Sequence, residues 1–240
     1  KNVEIKKLKI FFKLLFIFSP LLVYLGKSSF LAYDEGIYVL QSKWILNSNN
    51  WIAPMWWGEI SLDRTIGIQA IIAFSQKING SSTFSFYIPN ILASFLIMYL
   101  TYELHKEIVD RKYPIVPPLI LASTYLWINY SHQASQDLIY SFLILFGAFT
   151  TVKFIKTKNI YFLIPLGIWI GLAFMFKTYL AIVPFLALSP ILIKEKIFHK
   201  KLFWIGIIIG FIPFIIWSIK VCDLYGYLTY FGLFDKLVSL

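Results

Sequence analysis

Residues 160–193 read IYFLIPLGIWIGLAFMFKTYLAIVPFLALSPILI, thirty-four residues with one charge, Lys177. At 1.5 Å per residue a single helix of that length would run about 51 Å, against a bilayer core of about 30 Å. Two helices that turn at Lys177 fit the core. The stretch therefore predicts two membrane-crossing segments, 160–176 and 178–193, and with them an all-α, multi-pass transmembrane bundle.

Working outward, further apolar runs lie at 10–26, 84–104, 113–130, 137–154 and 202–219, which makes about seven spans. Pro114, Pro117 and Pro118 sit near the start of the 113–130 run, where proline is tolerated. Composition agrees. Of 240 residues, 59% are hydrophobic and 14% charged, whereas a soluble domain carries about 25% charged residues. Soluble enzyme, disordered tail and nucleic-acid module are thereby excluded. The run after Lys6, Lys7, Lys9 and Lys13 has a signal peptide's profile, but no small-residue cleavage site follows. It reads as a retained first span. The whole of 1–240 is expected to form one transmembrane domain. Its long mixed segment, 27–79, would form an outer loop with short interfacial helices, and the tail 220–240 would lie in the interface.

The net charge is +10, and its distribution carries the information. With the N-terminus inside, fifteen of the 22 Lys and Arg residues fall in inner segments with five acids. Seven bases and seven acids fall outside. A Lys/Arg excess marks the cytoplasmic side, so the N-terminus is expected in the cytoplasm. The excess then serves orientation and needs no nucleic-acid partner.

The balanced outer face holds the residues that could do chemistry: Asp34, Glu35, Asp63, Arg64, Asp137 and Lys177. Each has a plainer reading. Asp34 and Glu35 read equally as solvated loop charge or a helix cap. Asp63 and Arg64 read as a local ion pair worth under about 1 kcal/mol. Asp137 reads as a helix N-cap, and Lys177 as a snorkelling lysine. Trp44, Trp51, Trp56, Trp57 and Trp127 read as an aromatic belt. His105, His132 and His199 lack metal-ligand spacing, and the single Cys222 excludes a disulfide framework. Asn79-Gly80-Ser81 and Asn129-Tyr130-Ser131 match the N-glycosylation pattern. No Gly-rich nucleotide loop is present.

The order of short motifs says more than any one of them. Asp34-Glu35-Gly36-Ile37-Tyr38 follows the first span. Asn50-Trp51-Ile52-Ala53-Pro54, Trp57-Gly58-Glu59 and Asp63-Arg64-Thr65-Ile66 come next. Gln136-Asp137 opens a span, and Gly171-Leu172-Ala173-Phe174-Met175-Phe176-Lys177 closes one. This resembles the GT-C glycosyltransferases of the protein O-mannosyltransferase and lipid A aminoarabinose transferase type, glycosyltransferase family 39. The likeness covers about 34–184. That family has Arg where Ile37 stands and Glu-Lys-Pro-Pro where residues 63–66 stand. Its members are generally longer, which implies that these residues form an N-terminal part.

The resemblance implies an inverting enzyme. It would transfer a sugar from a polyprenyl-phosphate donor to a lipid, glycan or protein acceptor on the periplasmic, extracellular or lumenal face. Asp34 would be the general base, with Asp137 opposite it in the same pocket. Arg64, Lys177 and Tyr38 would bind the donor phosphate. Glu35 and Asp63 would support the site or hold a divalent metal, the one cofactor candidate. The alternatives are a lipid or sugar transporter or flippase, and a non-catalytic relative. Convergence of Asp34, Arg64, Asp137 and Lys177 at one place separates the enzyme from both.

Overall fold

The computed structural model describes residues 2–23, 25–27, 30, 34–62, 64–109 and 112–238. Helices dominate: α1 (Asn2–Phe18), α2 (Asp34–Ser48), α3 (Gly67–Asn79), α4 (Thr83–Ile108), α5 (Val116–Ser123), α6 (Tyr125–Ser131) and α7 (Gln136–Thr157). Then follow α8 (Leu163–Lys177), α9 (Ile182–Lys194), α10 (Lys201–Tyr225) and α11 (Tyr227–Val238). A two-residue hairpin, β1 (Met55–Trp56) and β2 (Glu59–Ile60), interrupts the segment between α2 and α3. Thr83–Ile108, Gln136–Thr157, Ile160–Lys194 and Lys201–Tyr225 are long and apolar enough to cross a membrane. The fold is an all-α, multi-pass membrane bundle.

The thirty-five-residue stretch Ile160–Lys194 makes two passes. Thr178 takes φ 48° and ψ −126° directly after Lys177 and ends α8. The packing of α8 on α10 requires the turn. Gly167 faces the backbone of Phe203 and Gly206, and Gly171 faces Gly210 and Phe211. Both numbers rise together, so α8 and α10 run parallel. The chain can join two parallel helices only by coming back, and α9 is that return. Both helices use a Gly-x-x-x-Gly pair, Gly167/Gly171 and Gly206/Gly210, and a Cβ at any of the four would overlap backbone across the interface. In lipid, where no hydrophobic drive pulls helices together, such close approach is the main source of attraction.

Antiparallel pairs complete the bundle. Gly147 of α7 leaves room for the Trp169 indole of α8, and Tyr140 of α7 donates to the Leu180 carbonyl past the turn, 2.8 Å. Phe11 and Phe18 of α1 meet Phe95 of α4 edge-on, centroids 5.5 and 5.6 Å apart. The expected span at 113–130 is not one helix. It breaks at Thr124 (φ −80°, ψ 122°) into α5 and α6. The Ser123 and Thr124 hydroxyls both donate to the Ile120 carbonyl at 2.9 Å, and such back-bonding competes with the helix ladder. Pro117 still lies beside α4 near Ile108, while Ser131 bonds Ser94 at 3.0 Å, so the two short helices together run back along α4.

Two ends result. One gathers the C-termini of α4, α7 and α9: Lys153 and Lys156 pair with Glu107 (2.6 and 3.5 Å), Lys106 with Glu103 (2.9 Å) and Lys158 with Glu195 (2.5 Å). The other carries α2, α3 and the hairpin, the interfacial helices expected of the 27–79 segment. There Ile45, Ala53, Leu62, Ile66 and Ala73 pack on Trp217, Val221 and Leu233. Trp217 Nε1 donates to the Ile52 carbonyl and Asn50 Nδ2 to the Tyr225 hydroxyl, both 2.8 Å.

Candidate functional site

The site lies at this second end, where the loop before α3 crosses the end of α8. Thr65 Oγ1 donates to the Met175 carbonyl, 2.7 Å. Gly67 lies against the same carbonyl, where a side chain would not fit. These contacts seat Arg64 beside Lys177, the last residue of α8. Arg64 also reaches α2: its Nη1 donates to the Tyr38 hydroxyl, and the guanidinium lies 5.7 Å from the Tyr38 ring centroid.

Gln136, the first residue of α7, is 4% exposed and joins the two cations. The amide assignment that satisfies its neighbours has the nitrogen donating to the Phe176 carbonyl at 2.7 Å. That orientation turns its oxygen toward Arg64 Nη1 at 3.0 Å and Lys177 Nζ at 3.2 Å. The two cations thus lie within about 6 Å of each other. At an effective dielectric near 20 their repulsion is about 3 kcal/mol, more than a neutral hydrogen bond returns. Asp137 offsets part of it, accepting from Lys177 Nζ at 2.7 Å. Asp137 is therefore not the helix cap that its position suggests. Ser135 holds the cap position and makes no side-chain cap bond.

Tyr38, Arg64, Asp137 and Lys177 thus meet, drawn from α2, the loop before α3, α7 and α8. Asp63 lies outside the described residues, as does the Asp34 side chain; the Asp34 backbone begins α2, one turn before Tyr38. Glu35, 4% exposed, accepts from the Ala134 N–H at 2.9 Å and ties the start of α2 to the link before α7. This is a positioning contact. Among the described residues no three His, Cys, Asp or Glu side chains gather as a cation set. His105 and His199 stand near the opposite end, and His132 contacts the Leu21 carbonyl. Gln136 is the member that sequence reasoning missed. It was visible only as the residue before Asp137.

Fold and site together define a multi-pass membrane protein with a cationic cluster at one end of its helices. Two solved structures share the fold. ArnT from Cupriavidus metallidurans bound to undecaprenyl phosphate is 13% identical, with a TM-score of 0.76, over 93% of this chain and 44% of that one. ArnT from the same organism in the apo state is 12% identical, with a TM-score of 0.75, over 93% and 43%. The chain thus spans less than half the length of either. No curated protein sequence matches it. The family model described as dolichyl-phosphate-mannose-protein mannosyltransferase matches residues 63–219, well over half of the chain, and the chain belongs to that family.

Proposed function

We propose that this chain carries the donor end of a membrane glycosyltransferase, which moves a sugar from a polyprenyl phosphate to an acceptor on the non-cytoplasmic face. The observation that carries the reading is the pair of cations, Arg64 and Lys177, sharing the Gln136 oxygen at 3.0 and 3.2 Å. Two cations held close by a neutral dipole form a ready site for a phosphate, which supplies charge where Gln136 supplies only a partial one. The fold likeness to a protein solved with undecaprenyl phosphate supports the same donor class. A transporter would carry its charges near the middle of repeated helices, whereas these stand at helix ends.

In the proposed reaction the acceptor hydroxyl oxygen bonds to the anomeric carbon, and its proton passes to the Asp34 carboxylate. The bond from that carbon to the phosphate oxygen breaks, and its electron pair leaves with the polyprenyl phosphate. Attack opposite the leaving group inverts the centre. Arg64 and Lys177 stabilise the charge that grows on the leaving phosphate, Tyr38 orients Arg64, and Asp137 orients Lys177. The basic end, with Lys106, Lys153, Lys156 and Lys158, faces the cytoplasm under the positive-inside rule, which turns the Arg64–Lys177 end outward.

Arg64→Ala tests the reading. A charge-assisted hydrogen bond is worth about 1.5–3 kcal/mol, so donor KM should rise about 10- to 100-fold, and kcat should fall as well because the contact strengthens as charge grows on the leaving phosphate. An unchanged donor KM removes Arg64 from the phosphate site.

A further inference from the structure

We propose that the groove between α1, α4 and α7 at the basic end binds one anionic phospholipid of the surrounding bilayer. The groove has a volume of about 830 Å³, within the range that holds a drug-sized apolar ligand (about 300–1,000 Å³). Its walls change character along the helices. On α4 the lining runs from Phe95 through Tyr99 to Lys106, and on α7 from Phe149 to Lys153. Phe11 of α1 closes the apolar part, its ring 5.5 Å from that of Phe95. Apolar ring, phenol and ammonium in that order match an acyl chain, a glycerol ester and a phosphate.

Charge selects the occupant. Lys106 is paired with Glu103 and Lys153 with Glu107, but an ammonium has three N–H donors. Each lysine therefore keeps donors for a phosphate. Lys156 also pairs with Glu107, so three lysines face the two carboxylates Glu103 and Glu107. The patch keeps a positive excess that a zwitterionic headgroup does not answer. Basic pockets between helices on the cytoplasmic side bind anionic headgroups on this principle. The site lies at the opposite end of the bundle from Arg64 and Lys177, and the proposal rests on membrane embedding alone.

The test reconstitutes the 240-residue chain in nanodiscs of mixed phosphatidylcholine and phosphatidylglycerol, then counts the lipids it retains by native mass spectrometry. At about 1 kcal/mol per lysine, phosphatidylglycerol should be retained about 30-fold over phosphatidylcholine. Lys106→Gln with Lys153→Gln should erase most of that preference. Leu96→Trp, which fills the groove from a part-exposed position and leaves every ion pair intact, should lower retention of both lipids. Equal retention of the two lipids by the unmodified chain overturns the proposal without any variant. So does displacement of phosphatidylglycerol by equimolar undecaprenyl phosphate, or a preference that survives the lysine substitutions in a folded chain.

Discussion

Asp34→Asn is expected to reduce sugar transfer by about 10² to 10⁴, the usual contribution of a positioned general base, while the protein stays helical and membrane-inserted. Asparagine keeps the size of the side chain and removes its capacity to take a proton. Position 34 opens α2, next to Glu35, which is bonded to Ala134, and one turn before Tyr38, which meets Arg64. The start of α2 is therefore tied to the cationic cluster from two sides. Transfer rates with a polyprenyl-phosphate sugar, set beside circular dichroism of both proteins, decide the matter. Wild-type turnover in the variant would remove Asp34 as the base.

Gly171→Leu is expected to destabilise the fold by about 3 kcal/mol or more, at the upper end of overpacking costs. A Cβ at 171 already overlaps the Gly210–Phe211 backbone, and backbone cannot step aside as a side chain can. Leucine would push α10 off α8. The Phe174–Phe214 contact, 4.8 Å between centroids, would open. So would the bonds by which Trp217 and Tyr225 hold Ile52 and Asn50. The end of α8 carries both Lys177 and the Met175 carbonyl that seats Thr65, so donor binding should fall with stability. A lower thermal midpoint in detergent checks this; an unchanged midpoint contradicts the close helix contact.

Much of the fold was legible because membrane thickness limits helix length. Thirty-four apolar residues cannot be one span, and the turn at Lys177 follows from that arithmetic. The parallel pairing of α8 and α10 was not legible, although Gly167, Gly171, Gly206 and Gly210 stand in the sequence at the right spacing. A Gly-x-x-x-Gly pair announces close packing but does not name its partner. The break at Thr124 was hidden for a local reason: no proline marks it, and it arises from two hydroxyls competing for one carbonyl. The hairpin was hidden as well. Its turn is Trp57-Gly58, with φ of 54° and 83°, where Asn-Gly is the usual signal. Trp57, read as part of an aromatic belt, stands exposed at its tip.

At the site, charged residues near helix ends were legible because charge is costly beside lipid. The role of Gln136 was not. A neutral amide at a helix start carries no signal of its own, and its function exists only once residues 64 and 177 are brought to it. Glu35 was read as a support or metal ligand from its neighbourhood to Asp34; its bond to Ala134, ninety-nine residues away, is a tertiary fact.

The central claim is that Arg64 and Lys177 form a polyprenyl-phosphate site. Equilibrium binding of undecaprenyl phosphate to the chain in nanodiscs tests it most directly, comparing wild type with the Arg64→Ala/Lys177→Ala double variant. Two charge-assisted contacts predict binding at least about 100-fold weaker in the variant. Equal affinity in two equally folded proteins would contradict the account.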